Sequence, residues 1–146
     1  MLTLPLHPRF VHFPVTLLVL SVVLYLLHLW RPLGWQGMRW ERLSLASLAL
    51  GWLTILPTAV TGLIDQNAIA LDSPAHVVAN NHITAVFATV IAFGAALYLH
   101  LRRGAVRDSA RNRWYILALL VLGLVALIIT GELGGRLVYE FGIGQR

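Results

Sequence analysis

Residues 114–131 read WYILALLVLGLVALIITG. Nothing in this run carries a formal charge, and the first acid after it is Glu132. Eighteen residues rising about 1.5 Å each cover about 27 Å, close to the ~30 Å of hydrocarbon in a bilayer. Three more charge-free stretches of similar length precede it: Phe10–Trp30, Leu43–Ile64 and Ile83–Leu101. Only 12% of the 146 residues are charged, about half the roughly 25% usual in a soluble domain. The pattern predicts a single all-α domain over residues 1–146. It is an integral membrane four-helix up-down bundle with helices over about 10–30, 43–64, 82–101 and 114–133.

The first stretch exceeds the roughly 7–15 apolar residues of a signal peptide and ends in LHLWRP, without a small-residue cleavage site, so a retained helix is expected. Cysteine is absent. That excludes disulfides, thiolate metal sites, iron–sulfur clusters and covalent c-type haem attachment. A net charge of +5 would point to nucleic acid in a soluble chain. Here the cations crowd into loops, so topology is the simpler account and no nucleic-acid partner is expected.

All eleven basic residues are arginine. Arg31, Arg39 and Arg42 lie between the first two helices, and Arg102, Arg103, Arg107, Arg111 and Arg113 between the last two. The middle loop has none and carries Asp65 and Asp72; the tails hold Arg9, Arg136 and Arg146. Positively charged short loops stay cytoplasmic, so both termini are expected on the periplasmic side of a bacterial inner membrane. Trp30, Trp35, Trp40 and Trp114 then form an inner aromatic belt. The other rim collects His7, His12, His76, His82, Asp65, Asp72, Glu132, Tyr139 and Glu140.

Helical periodicity sorts the polar residues further. Thr54, Thr58, Thr61 and Asp65 fall within about 60° of one another on helix two, around Pro57, and predict an inward stripe. The proline is expected to kink the helix, with the threonines re-satisfying the freed backbone. On helix three, His82, Thr89, Phe93 and His100 share one line to within about 20°. On helix one, Thr16 goes with His12, while Ser21, Tyr25 and His28 fall on the far side. Gly131 and Gly135 make a GxxxG spacing that permits close backbone approach. The glycines from Gly131 to Gly144 are expected to shape a tight outer cap and not more helix, and no phosphate-loop spacing is present.

HPRFVHFP at residues 7–14, TGLID at 61–65, the histidine opening helix three and GGRLVYEFGIG at 134–144 together resemble the bacterial four-helix membrane proteins of domain of unknown function 2231. The resemblance spans nearly the whole chain and implies no settled activity. Architecture and histidine content also resemble the four-helix membrane cytochromes b, and that second likeness is what implies haem b.

Under it, His12 and His82 are the iron ligands, at similar depth on helices placed diagonally. Asp65 or Arg136 lies near the propionates, and His7 replaces His12 if the HPRF turn folds back. An inner haem on His28 and His100 is disfavoured, because His12 and His28 lie about 160° apart on their helix. His28 and His100 are expected at the membrane boundary, and His76 in a polar loop. The role is electron transfer or redox sensing, by an electron carrier or binding subunit and not a stand-alone enzyme. A periplasmic electron carrier or a larger redox membrane complex is its partner, and oligomerisation stays open.

Two alternatives use the same residues. His7, His12, His76 and His82 with Asp65 and Glu132 offer ligands for zinc, copper or non-haem iron, although no HxH, HxxxH or HExxH spacing occurs. Small size and a glycine-rich last helix also suit a structural subunit of a larger membrane complex. Glu132 is read either as an ion pair with Arg136, four residues on, or as a proton or ligand group.

Overall fold

The computed structural model describes residues 10–30, 39–67, 69–102 and 109–143, apart from the Asp65 side chain. His7, Arg9, Arg31, Trp35, Arg103, Arg107, Gly144 and Arg146, named above, lie outside the described residues, as does the Asp65 carboxylate. Four helices follow in order: α1 His12–Trp30, α2 Trp40–Gln66, α3 Pro74–Leu101 and α4 Ala110–Tyr139. Each is long and apolar enough to cross a membrane.

Helices α2, α3 and α4 run longer than the spans expected from sequence, while α1 starts two residues later, at His12. Helix α3 starts at Pro74, not near His82, because Ser73 and Pro74 form a start signal. The Ser73 hydroxyl accepts from the His76 N–H at 3.3 Å, and proline at the first helical position gives up no needed bond. His76 therefore sits in the first turn of a helix, where a loop was expected. Helix α4 begins likewise, with Ser109 Oγ accepting from Asn112 N–H at 3.1 Å.

At its other end α4 runs through Gly131, Gly134 and Gly135 to Tyr139, where a glycine cap was expected. Near lipid every backbone group needs a partner, so a glycine stays helical more readily there than in water. The turn comes later, at Gly142 with φ 67°, where Ile143 N–H meets Leu137 C=O at 3.0 Å.

Two antiparallel hairpins, α1–α2 and α3–α4, form the closest packings, and the seams α2·α3 and α1·α4 join them. In α1 the buried residues Pro14, Leu18, Ser21, Val22 and Tyr25 follow helical spacing. In α3 they are Ala75, Val78, Ala79, Ala85, Thr89, Ala92, Phe93, Ala96 and His100, mostly small, so α4 lies close. Gly51 serves the first hairpin: a Cβ there would meet Leu17 and Leu18 at 3.1 Å.

The outside is as apolar as the core. Leu50, Leu53, Leu56, Val60, Leu63 and Ile64 of α2 are all exposed, a surface suited to lipid and not water. Helix α2 continues past Pro57. Its threonine hydroxyls donate to Gly51, Thr54 and Thr58 carbonyls at 2.8 Å each.

Side-chain bonds cross both seams: Trp52 Nε1–H to Val90 C=O at 3.0 Å and Gln66 Nε2–H to Asn80 Oδ1 at 3.2 Å between α2 and α3, and Tyr25 O–H to Arg113 C=O at 3.0 Å between α1 and α4. The Arg113 carbonyl also lies in a helix, so losing the phenol does not orphan it. Tyr25→Phe is expected to cost about 0.5–1.5 kcal/mol, read as reduced thermal stability in detergent with helical content unchanged.

Candidate functional site

The polar line read on helix three points inward over its whole length. Thr89 is 3% exposed, Phe93 0% and His100 3%, and His82 is half-buried. His82 and Thr89 meet α4 at Thr130, while the Phe93 ring lies against Gly123 of the same helix. The Thr130 carbonyl oxygen lies 3.0 Å from His82 Nδ1. Its hydroxyl donates to Ala126 C=O at 2.9 Å and is 3.3 Å from Thr89 Oγ1. The Thr89 hydroxyl donates in turn to Ala85 C=O at 2.9 Å.

A carbonyl only accepts, so the His82–Thr130 contact requires Nδ1 to carry the proton. In the neutral ring Nε2 then holds the lone pair. Gly134 makes this orientation feasible: a Cβ there would stand 3.2 Å from His82 Cε1 and 3.5 Å from Nδ1. By contrast, nothing lies within 4 Å of a Cβ built on Gly131 or Gly135. The close approach expected of the GxxxG pair belongs to Gly134, between them.

The other expected site residues scatter. His12 opens α1 and is exposed, as is Thr16. They lie opposite the buried face of α1, which is held by Ser44 Oγ–H to Ser21 C=O at 2.8 Å and by the Tyr25 phenol. Sequence geometry had placed these two groups on opposite sides of α1. Packing turns the Ser21–Tyr25 side inward, so α1 does not carry His12 toward His82. His76 is half-buried in the first turn of α3.

Glu132 is exposed, and the pair expected with Arg136 is not formed. Arg136 Nε instead donates to both Glu140 oxygens, at 3.0 and 3.2 Å, because Glu140 sits one turn further along the same face. With both side chains near half exposed, water screens the ion pair and it adds little to stability.

The arginine-bearing end holds a second polar group. His100, expected at the boundary, is buried with its ring 5.2 Å edge-on to Tyr25, and His28 is 5.9 Å from the same ring. Ser21, Ser44 and Asn112 are buried nearby in the bundle core. The signal was present in the sequence: Ser21, Tyr25 and His28 share one side of α1, and His100 ends the inward line of α3.

Among the described residues no three His, Asp or Glu side chains come together as metal ligands. A family model described as "Predicted membrane protein (DUF2231)" matches residues 3–146. The chain belongs to the DUF2231 family. No curated protein and no solved structure matches it. As a DUF2231 member with four membrane-length helices, it is an integral membrane protein whose immediate surroundings are lipid.

Proposed function

We propose that this DUF2231 protein binds haem b through His82 and works as a membrane redox centre, in electron transfer or redox sensing. The single observation behind this is the 3.0 Å contact from His82 Nδ1 to the Thr130 carbonyl. Ligating histidines characteristically donate their other ring N–H to a carbonyl, which fixes the tautomer and raises the basicity of the coordinating nitrogen. Nε2 is then the atom that meets iron. Haem fits the donor set better than bare zinc, copper or iron. Porphyrin supplies four nitrogens itself, so one imidazole with an open position is sufficient, whereas a non-haem site needs three or four convergent side chains. Arg136, at the same end of α4, is the described cation suited to a propionate. The haem supplies the electron chemistry, and the chain supplies the ligand, its tautomer and a dry setting.

The test is a reduced-minus-oxidised spectrum of protein purified in mild detergent from haem-replete cells. A Soret band is expected in the wild type and in His12→Ala, and a loss of more than about tenfold in His82→Ala. A folded wild-type protein without a Soret band, or a band that survives in His82→Ala, overturns the proposal.

A further inference from the structure

A groove of about 480 Å³ opens between α1 and α4 at the arginine-bearing end, lined by Val23, Leu26 and Trp30 of α1 and by Trp114 and Leu117 of α4, among others. Its lining is almost wholly apolar. The two indoles at its mouth are 76% and 65% exposed, for Trp30 and Trp114.

Charge is placed just above it. Arg111 precedes Trp114 by three residues and Arg113 precedes Leu117 by four. Each α4 residue lining the groove therefore has an arginine one turn nearer the water on its own side of the helix. Both arginines are exposed. The first turn of α4 contains no acid, and its N-terminal dipole adds positive potential. The Arg113 carbonyl is tied to Tyr25 of α1, which fixes this turn against the other wall of the groove.

We propose that the groove holds an acyl chain of an anionic phospholipid whose phosphate is bound by Arg111 and Arg113. Inside a bilayer one apolar wall is as good as another for a hydrocarbon chain, so the apolar contact gives shape but little preference. Selectivity rests on the guanidinium groups, which bind phosphate through paired N–H donors, and on indoles that favour the headgroup boundary.

The experiment places the full chain in phosphatidylcholine vesicles containing rising fractions of dibrominated phosphatidylglycerol or dibrominated phosphatidylcholine, and reads tryptophan quenching. The difference between wild type and Trp30→Phe/Trp114→Phe isolates the two groove indoles. The anionic lipid is expected to quench them at a lower mole fraction, by about fivefold for each arginine engaged. Arg111→Gln/Arg113→Gln is expected to abolish that preference while leaving quenching by the zwitterionic lipid and the circular dichroism unchanged. Equal quenching by both lipids, or a preference that survives the double substitution, overturns the proposal. So does displacement of the brominated anionic lipid by a long-chain isoprenoid quinone at equal mole fraction, which would reassign the groove.

Discussion

Phe93→Ala is expected to lower the unfolding free energy by about 3 kcal/mol, the low end of the range for deleting a buried phenyl ring. Phe93 is 0% exposed, at the centre of the cluster that includes Leu18, Leu48, Ile116 and Leu120. In lipid the ring gains little from leaving water, so its worth is mainly dispersion contact, and the estimate sits low for that reason. The ring lies against bare backbone: a Cβ on Gly123 would approach its Cδ2 and Cε2 at 2.9 Å. Gly123→Ala alone is thus an overpacking change, expected to cost about 1–3 kcal/mol. In the Phe93→Ala background the added methyl enters the vacated space, and the same substitution should be neutral or stabilising. Denaturant titration of the four proteins in mixed micelles gives the coupling term. Additive effects would mean that α3 and α4 do not meet at this point.

The second large effect is expected at Gly134. The group that orients His82 is a backbone carbonyl, which no side-chain substitution removes. Gly134→Leu acts on the geometry instead, because the new side chain must occupy space now held by the imidazole, 3.2 Å from the Cβ position. Displacing the ring breaks the contact with Thr130 and, on the haem-binding role proposed for His82, should weaken haem retention by about 10–100-fold, the usual effect of losing a partner behind a metal ligand. Gly131→Ala and Gly135→Ala, where a Cβ meets nothing within 4 Å, should leave the spectrum unaltered. The Soret absorbance per mole of folded protein measures all three. A loss of equal size at Gly131 would attribute the effect to general helix damage.

Much of this was legible in the chain because lipid imposes a simple rule. Length without charge gave the four crossings, and the 100° step placed His82, Thr89, Phe93 and His100 on one inward line. Helix α1 shows where such reasoning stops. It has polar residues on both sides, His12 and Thr16 on one, Ser21 and Tyr25 on the other. Periodicity separates the two sets but does not say which one the neighbouring helices cover. The Ser44 and Arg113 partners decide it, and they are distant in sequence. The start of α3 is readable from Ser73–Pro74, and nothing from Ser73 to Leu101 carries a formal charge, but the polar Asn80, Asn81 and His82 break the apolar run there. The length of α4 is hidden by Gly131, Gly134 and Gly135, which would end a helix in water but stay helical beside lipid.

The unequal packing of the four helices also bears on how the chain is made. Each close pair is contiguous in sequence and closes with its own polar ties, Ser44 to Ser21 in one and His82 to Thr130 in the other. A nascent chain can complete the first pair before the second leaves the ribosome. Joining the halves is then a separate, later event, in which the Trp52 indole and the Tyr25 phenol find their carbonyls across the join.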